Sequence, residues 1–164
     1  MSNIKIVIFS GSYNNWDVYE NVLSYVASKE NPSGYGFWGN TVQDYANQFQ
    51  TSCSLSSQEE DQNIWHFCIS SRFFSSNKYS SLALANQIAQ IFKDHFQIMY
   101  AYDGKKTNHP HIHFAVNAYS YYPTVPALTK ARFTSYLEKV KLLLRNEYPN
   151  TEVQILFKED SQNV

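Results

Sequence analysis

Charge is scarce in this 164-residue chain: Asp, Glu, Lys and Arg together make up 16%, against about 25% in an ordinary soluble domain. The 13 basic and 14 acidic residues nearly cancel, for a formal net charge of −1. Such a balance argues against a protein that coats nucleic acid over a broad basic surface, though not against one that meets a single phosphate with a metal ion and a few cations. Cysteine is nearly absent, with only Cys53 and Cys68, which excludes a disulfide framework and a Cys-based zinc site. Cys68 stands in an apolar run and reads as a buried thiol. No apolar run approaches the ~18 residues of a membrane span, and the start Met-Ser-Asn-Ile-Lys lacks the basic and apolar regions of a signal peptide, so a cytoplasmic protein is expected. Aromatic residues are abundant instead: 13 Tyr, 11 Phe and 3 Trp.

A chain of this length suits one domain, here 1–158, followed by a polar tail at 159–164 expected to be disordered. Ile4 to Phe9 reads as a strand and Gly11 to Asn15 as a turn. Val18, Val22 and Val26, four apart, predict a helix from Trp16 to about Ser28, ended by Asn31-Pro32-Ser33-Gly34. A glycine-bearing aromatic loop (Tyr35 to Gly39), a short helix (Thr41 to Gln50) and a polar loop (Cys53 to Gln62) follow. Asn63 to Ser70 is strand-like. Ser75 to Asn77 offers N-caps for a helix to about His95. Gln97 to Tyr102 and His111 to Asn117 read as strands of a hairpin joined through Gly104 to Asn108. Thr129 to Glu147 has the helical stripe Phe133, Leu137, Val140, Leu144, and Val153 to Phe157 closes the chain as a strand. The pattern predicts an α+β fold with a central, mostly antiparallel sheet flanked by helices.

The segment Asn108-His109-Pro110-His111-Ile112-His113-Phe114 carries the chemistry. Side chains alternate along a strand, so His111, His113, Ala115 and Asn117 share one face while Ile112, Phe114 and Val116 share the other. A lone strand histidine is usually structural; two on one face are rarer. Their bases stand about 7 Å apart, and imidazoles leaning together from that separation reach one ion at ~2.1 Å. His109 would be about 13 Å from His113 on a straight strand, too far to share that ion unless the chain bends at Pro110. A hairpin register that sets Asp103 opposite His111 would bring a carboxylate to the same face. Oxygen and imidazole donors suit Mg²⁺ or Mn²⁺, with Zn²⁺ a third option.

His-apolar-His on a strand, followed by Phe-Ala-Val-Asn, resembles the HUH endonucleases, and within them the plasmid-mobilisation relaxases. Other pieces resemble that plan in order. A strand precedes a helix with Asn21-Val22-Leu23-Ser24-Tyr25-Val26, then Asn31-Pro32. Gly39-Asn40-Thr41-Val42-Gln43-Asp44-Tyr45-Ala46, the strand Trp65-His66-Phe67-Cys68-Ile69-Ser70, a helix and the histidine hairpin follow, covering residues 3 to about 148. The resemblance implies a ferredoxin-like core and a nickase active on single-stranded DNA at a transfer origin, working with accessory mobilisation proteins in conjugative transfer. It implies Tyr25 as a nucleophile forming a 5′-phosphotyrosyl link, and a metal ion held by His111 and His113. Relatives commonly carry a histidine where this chain has Tyr102, which leaves Asp103 or His109 as third ligand. Arg72, Lys105, Lys106 and Asn117 are candidate DNA contacts.

Three other readings compete. Tyr136-Leu137-Glu138-Lys139 matches the Tyr-x-x-Lys of replication-initiator HUH nucleases, with helix packing as the plainer role for Tyr136. A degenerate relative would bind single strands without cutting. His109-Pro110-His111-Ile112-His113-Phe114 also resembles the histidine triad of nucleotide hydrolases, although Pro110 fits that pattern poorly. Tyr35, Phe37 and Trp38 are candidates for stacking on bases or for the core. His66, opening an apolar strand, reads as a core histidine that would otherwise orient the site.

Overall fold

The structure is a computed structural model describing residues 3–9, 17–75, 77–104 and 109–158. The turn at Gly11 to Asn15, Lys105, Lys106 and the tail at 159–164 lie outside the described residues. In chain order the elements are β1 (Asn3–Phe9), α1 (Asp17–Ala27), β2 (Glu30–Tyr35), α2 (Val42–Leu55), β3 (Ile64–Ser70), a 3₁₀ turn (Arg72–Ser75), α3 (Lys78–Phe92), β4 (Ile98–Asp103), β5 (His111–Asn117), α4 (Lys130–Glu147) and β6 (Glu152–Lys158). This is the α+β architecture expected. Among the described residues six strands form one sheet, ordered β2-β4-β5-β3-β1-β6. Neighbours are antiparallel except for the parallel pair β1 and β6.

Strand alternation divides the interior into two layers. On one face Trp65, Phe67 and Ile69 of β3 and Ile112, Phe114 and Val116 of β5 pack with Leu84, Ile88 and Phe92 of α3 and Phe133, Leu137 and Val140 of α4. On the other, Val18, Tyr19, Val22, Leu23 and Val26 of α1 and Ala46 and Phe49 of α2 cover Met99, Ala101 and Ala115. Fully burying a large apolar side chain contributes about 1.5–3 kcal/mol, so the stripes set both helix and strand orientation. The helix starts are fixed chemically. Thr41 and Asp44 form a reciprocal capping box at α2, Asn77 accepts from the amides of Tyr79 and Ser80 at α3, and Thr129 accepts from Arg132 at α4.

Two expectations are corrected. Residues 30–35 pair with β4 as an edge strand instead of forming a turn and loop. The turn signals were real but act inside the strand: Asn31 has φ 54°, and the register shifts between Glu30 and Ser33, as at a β-bulge. Gly34 lies so close to Ile98 O that a Cβ there would collide with it. The helix expected to end at Gln50 runs on to Leu55, because Ser52 is drawn inward to donate to Gln97 Oε1 at 3.0 Å. No helix among the described residues is long and apolar enough to cross a membrane.

Candidate active site on the histidine face

Cross-strand pairing assembles the site. β4 and β5 pair with Asp103 opposite His111 and Ala101 opposite His113, the register that carries the carboxylate to the histidine face. β3 lies on the other side of β5, with Cys68 opposite His113 and His66 opposite Ala115. Since Trp65, Phe67 and Ile69 point to the α3/α4 layer, His66 and Cys68 share the face of His111 and His113. Tyr25 reaches this group from the last turn of α1, whose buried stripe seats the helix across β4 and β5. Tyr25, Asp103, His111 and His113 then line one cleft of about 260 Å³ with Val7, Phe9, Cys68 and Lys158.

His113, 4% exposed, is the hub. Its Nε2 lies 3.6 Å from Asp103 Oδ2, and its Nδ1 lies 3.3 Å from His66 Nε2. The Tyr25 ring stands edge-on to His113 at 5.3 Å between centroids and to His66 at 5.4 Å. The His111 ring is 6.1 Å from that of His113. Phe9 stacks on His66 at 4.5 Å. Lys29, one helical turn beyond Tyr25, sits 4.5 Å over the Tyr25 ring and 3.4 Å from Asp103 Oδ2.

Burial sets the protonation states. It pushes the His66 imidazole down to about 3, helped by His113 and Lys29. His113 is lowered by burial and by His111 and Lys29, against the opposing pull of Asp103. His111 is lowered by burial, with Asp103 again opposing. All three imidazoles are therefore neutral near pH 7, the form that accepts a proton or ligates a cation. Burial raises the Cys68 thiol to about 12, which keeps it an unreactive part of the wall.

His113 Nε2 and Asp103 Oδ2 are the two donors that could share a divalent ion: their 3.6 Å separation is slightly wider than the ~3.4 Å of two tetrahedral ligands at about 2.1 Å. No group of three or more His, Cys, Asp and Glu close enough to hold a metal ion occurs among the described residues. Mg²⁺ or Mn²⁺, which keep several waters and take further oxygens from a phosphate, would need the pair to close slightly, and zinc would need a fuller protein cage. His109 is exposed and outside the cleft lining.

Several expected site residues stand elsewhere. Asn117 is fully buried, so it is not a DNA contact: its amide donates to Phe49 O and Gln97 Oε1 and accepts from Tyr19 and the Tyr119 amide. It is the knot joining α1, α2 and the sheet. Tyr102 points to the opposite face, where its hydroxyl donates to Phe74 O at 2.8 Å; a histidine there would face away from His113, and Asp103 is the residue that counts. Tyr136 also lies on the opposite face, stacked on Phe92 at 5.2 Å, and does not approach the histidines. Phe37 packs against Tyr45 and Phe49 and the Tyr35 hydroxyl accepts from Asn86, whereas Trp38 is 77% exposed. Arg72 is exposed, just past the β3 end that pairs with His111.

His66 belongs to the site itself, Cys68 joins it as the buried thiol expected, and Phe9, Lys29 and Lys158 join it without having been singled out from the sequence. The i to i+4 spacing of Tyr25 and Lys29 was a usable signal; the others depend on which strands pair. A larger depression of about 650 Å³ at the far end of β3 is lined by Glu59, Glu60, Asp61, Cys53 and Tyr119, and its acidic rim would repel a phosphate. The chain matches no family model, no curated protein and no solved structure.

Proposed function

We propose that this domain is a metal-assisted, single-strand-specific DNA nickase of the relaxase type, with Tyr25 as nucleophile and His111, His113 and Asp103 around the scissile phosphate. The observation that carries the reading is convergence: α1 and the β4–β5 hairpin, remote from each other in sequence, bring a half-exposed tyrosine against neutral imidazoles and a carboxylate in one cleft. The Tyr25 phenol oxygen attacks phosphorus as the bond from phosphorus to the 3′ oxygen breaks. A 5′-phosphotyrosyl link forms, and the leaving 3′ oxygen takes up a proton. The phenol proton leaves to solvent at the half-exposed Tyr25 ring, while His113 and His66 hold that ring edge-on. Reversal of the same step rejoins the strand. A Mg²⁺ or Mn²⁺ ion held by His113 and Asp103, with His111 beside them, would supply Lewis-acid withdrawal of charge from the phosphoryl oxygens. Arg72, and Lys105 and Lys106 shortly after Asp103 in sequence, are assigned to the DNA backbone. The partner is a single-stranded transfer origin, handled with accessory mobilisation proteins.

One observation favours a second reading, a relative that binds single strands without cutting: the Lys29 ammonium lies beside the same Asp103 oxygen that would ligate the metal. The two separate in one experiment. Single-stranded oligonucleotides and Mn²⁺ are incubated with the protein and resolved under denaturing conditions. The nickase reading expects a covalent adduct lost in Tyr25→Phe and kept in Tyr136→Phe. Strand binding with no adduct in any of the three proteins would establish the second reading, and neither binding nor adduct would refute both.

A further inference from the structure

The two outer strands of the sheet are built differently. β2 is interrupted: it carries Pro32, Asn31 at φ 54° and a register shift, the features that discourage an edge from recruiting another strand. β6 has none of them. It is a seven-residue run, Glu-Val-Gln-Ile-Leu-Phe-Lys, in unbroken register with β1 from Asn3–Glu152 to Phe9–Lys158. No described strand pairs with its outer edge. Along that edge Ile155 and Phe157 are only half-buried, and Leu156 is 42% exposed. The alternate amide and carbonyl groups that face away from β1 need partners or water.

The sequence of β6 is complementary to itself when reversed. If two copies are laid antiparallel about Ile155, Glu152 falls opposite Lys158 at both ends, Val153 opposite Phe157, Gln154 opposite Leu156, and Ile155 opposite its own counterpart. Pairing preserves faces, so both Glu–Lys pairs lie on the face of the histidine cleft and the Val–Phe and Ile–Ile pairs lie on the α4 face. Opposite charges and apolar residues set directly across an antiparallel pair are each stabilising, and like charges there are destabilising. We propose that β6 is a homodimerisation edge, joining two copies of this chain through an isologous, antiparallel β6–β6 pair into one continuous sheet. One strand edge is a small interface, so the dimer is a reversible, concentration-dependent one. Lys158 lines the cleft, so the pairing would set the two clefts near the dimer axis, on the same face of the joined sheet. The inference is independent of what the cleft does.

Sedimentation velocity over a range up to about 200 µM, where a dimer with a dissociation constant of about 50 µM or less is well populated, tests this. The wild-type chain is expected to move from monomer to dimer. Glu152→Lys puts like charges at both ends of the pair and is expected to raise the dimer dissociation constant about tenfold or more. Lys158→Glu should do the same, and the double variant Glu152→Lys/Lys158→Glu should restore the dimer. Circular dichroism checks that each variant is folded; Glu152 is exposed. A second readout needs no charge change: Ile155→Cys, at the axis, should give a disulfide-linked dimer under mild oxidation that the wild type does not. A wild-type chain that stays monomeric throughout, or a dimer indifferent to both single charge reversals, overturns the proposal.

Discussion

Acidification should unfold this protein through its histidine cluster, and His66 gives the size of the effect. The residue is 5% exposed, stacked on Phe9 and in contact with the His113 ring. Burial holds its folded pKa at about 3, while in the unfolded chain an imidazole titrates near 6.5. Between those values the unfolded state binds a proton that the folded state refuses, so stability is complete above about 6.5 and falls as pH drops towards 3. At pH 5 the unfolded imidazole is almost fully protonated and the folded one almost not, a loss of about 2 kcal/mol for this group relative to pH 7.5. His113 is shifted in the same direction by burial and adds to the loss. Against a total of about 5–15 kcal/mol for an ordinary domain, this is a large fraction. Urea unfolding followed by circular dichroism at pH 7.5, 6 and 5 measures it in the wild type and in His66→Phe, which keeps an aromatic ring on Phe9 but cannot titrate. The variant starts from a different stability because His113 Nδ1 loses its partner, so the quantity to compare is the drop between pH 7.5 and 5. That drop should shrink by about 2 kcal/mol in the variant. Equal drops in the two proteins, or a His66 resonance that titrates near 6.5 in the folded state, would refute the reasoning.

Other perturbations test the remaining roles. Asn117→Ala removes four hydrogen bonds inside the fold; Tyr19 keeps Asn63 O and Gln97 Oε1 keeps Ser52 Oγ, but the Tyr119 amide is stranded, and at about 1–3 kcal/mol per unsatisfied group plus the lost bonds the substitution should cost about 2–4 kcal/mol in denaturant unfolding. A cost under 1 kcal/mol would mean that this knot is not structural. Lys29→Met removes the ammonium 3.4 Å from Asp103 Oδ2 and should tighten Mn²⁺ binding about tenfold by calorimetry, since the ion no longer competes with a neighbouring positive charge; unchanged or weaker binding would refute a metal role for Asp103. Gly36 has φ 86°, and a Cβ there would run into the Tyr121 phenol. Gly36→Ala should therefore lower stability by about 1–3 kcal/mol in the same unfolding assay, through backbone strain and the clash together.

Much of the architecture was legible because it depends on local periodicity. Valines four apart in α1, the stripe of α4 and the alternation of β5 each encode which side of an element is apolar, and burial acts on that directly. The same alternation showed that His111 and His113 share a face. It could not reveal that residues 30–35 form a strand, because Asn31, Pro32 and Gly34 are turn residues by every local measure; pairing with β4 overrides that preference by supplying cross-strand hydrogen bonds. Nor could spacing distinguish Asn117, at the buried end of β5, from His111 at its open end. Both sit on one strand face, and their difference is made by α1 and α2 lying over Asn117 alone.

The histidine strand by itself therefore determined a face: two imidazoles on one side, their apolar neighbours on the other, enforced by the two-residue repeat of extended backbone. Tertiary structure decided what that face meets. The register of β4 on β5 places Asp103, and not Tyr102, beside His111; the choice of β3 as the other neighbour brings His66 against His113; and the apolar stripe of α1 delivers Tyr25 and Lys29 together. The contacts made by β3 and α1 are long-range pairings set by burial of whole elements, whereas Asp103 and His111 stand eight residues apart in one hairpin, whose register the packed sheet fixes.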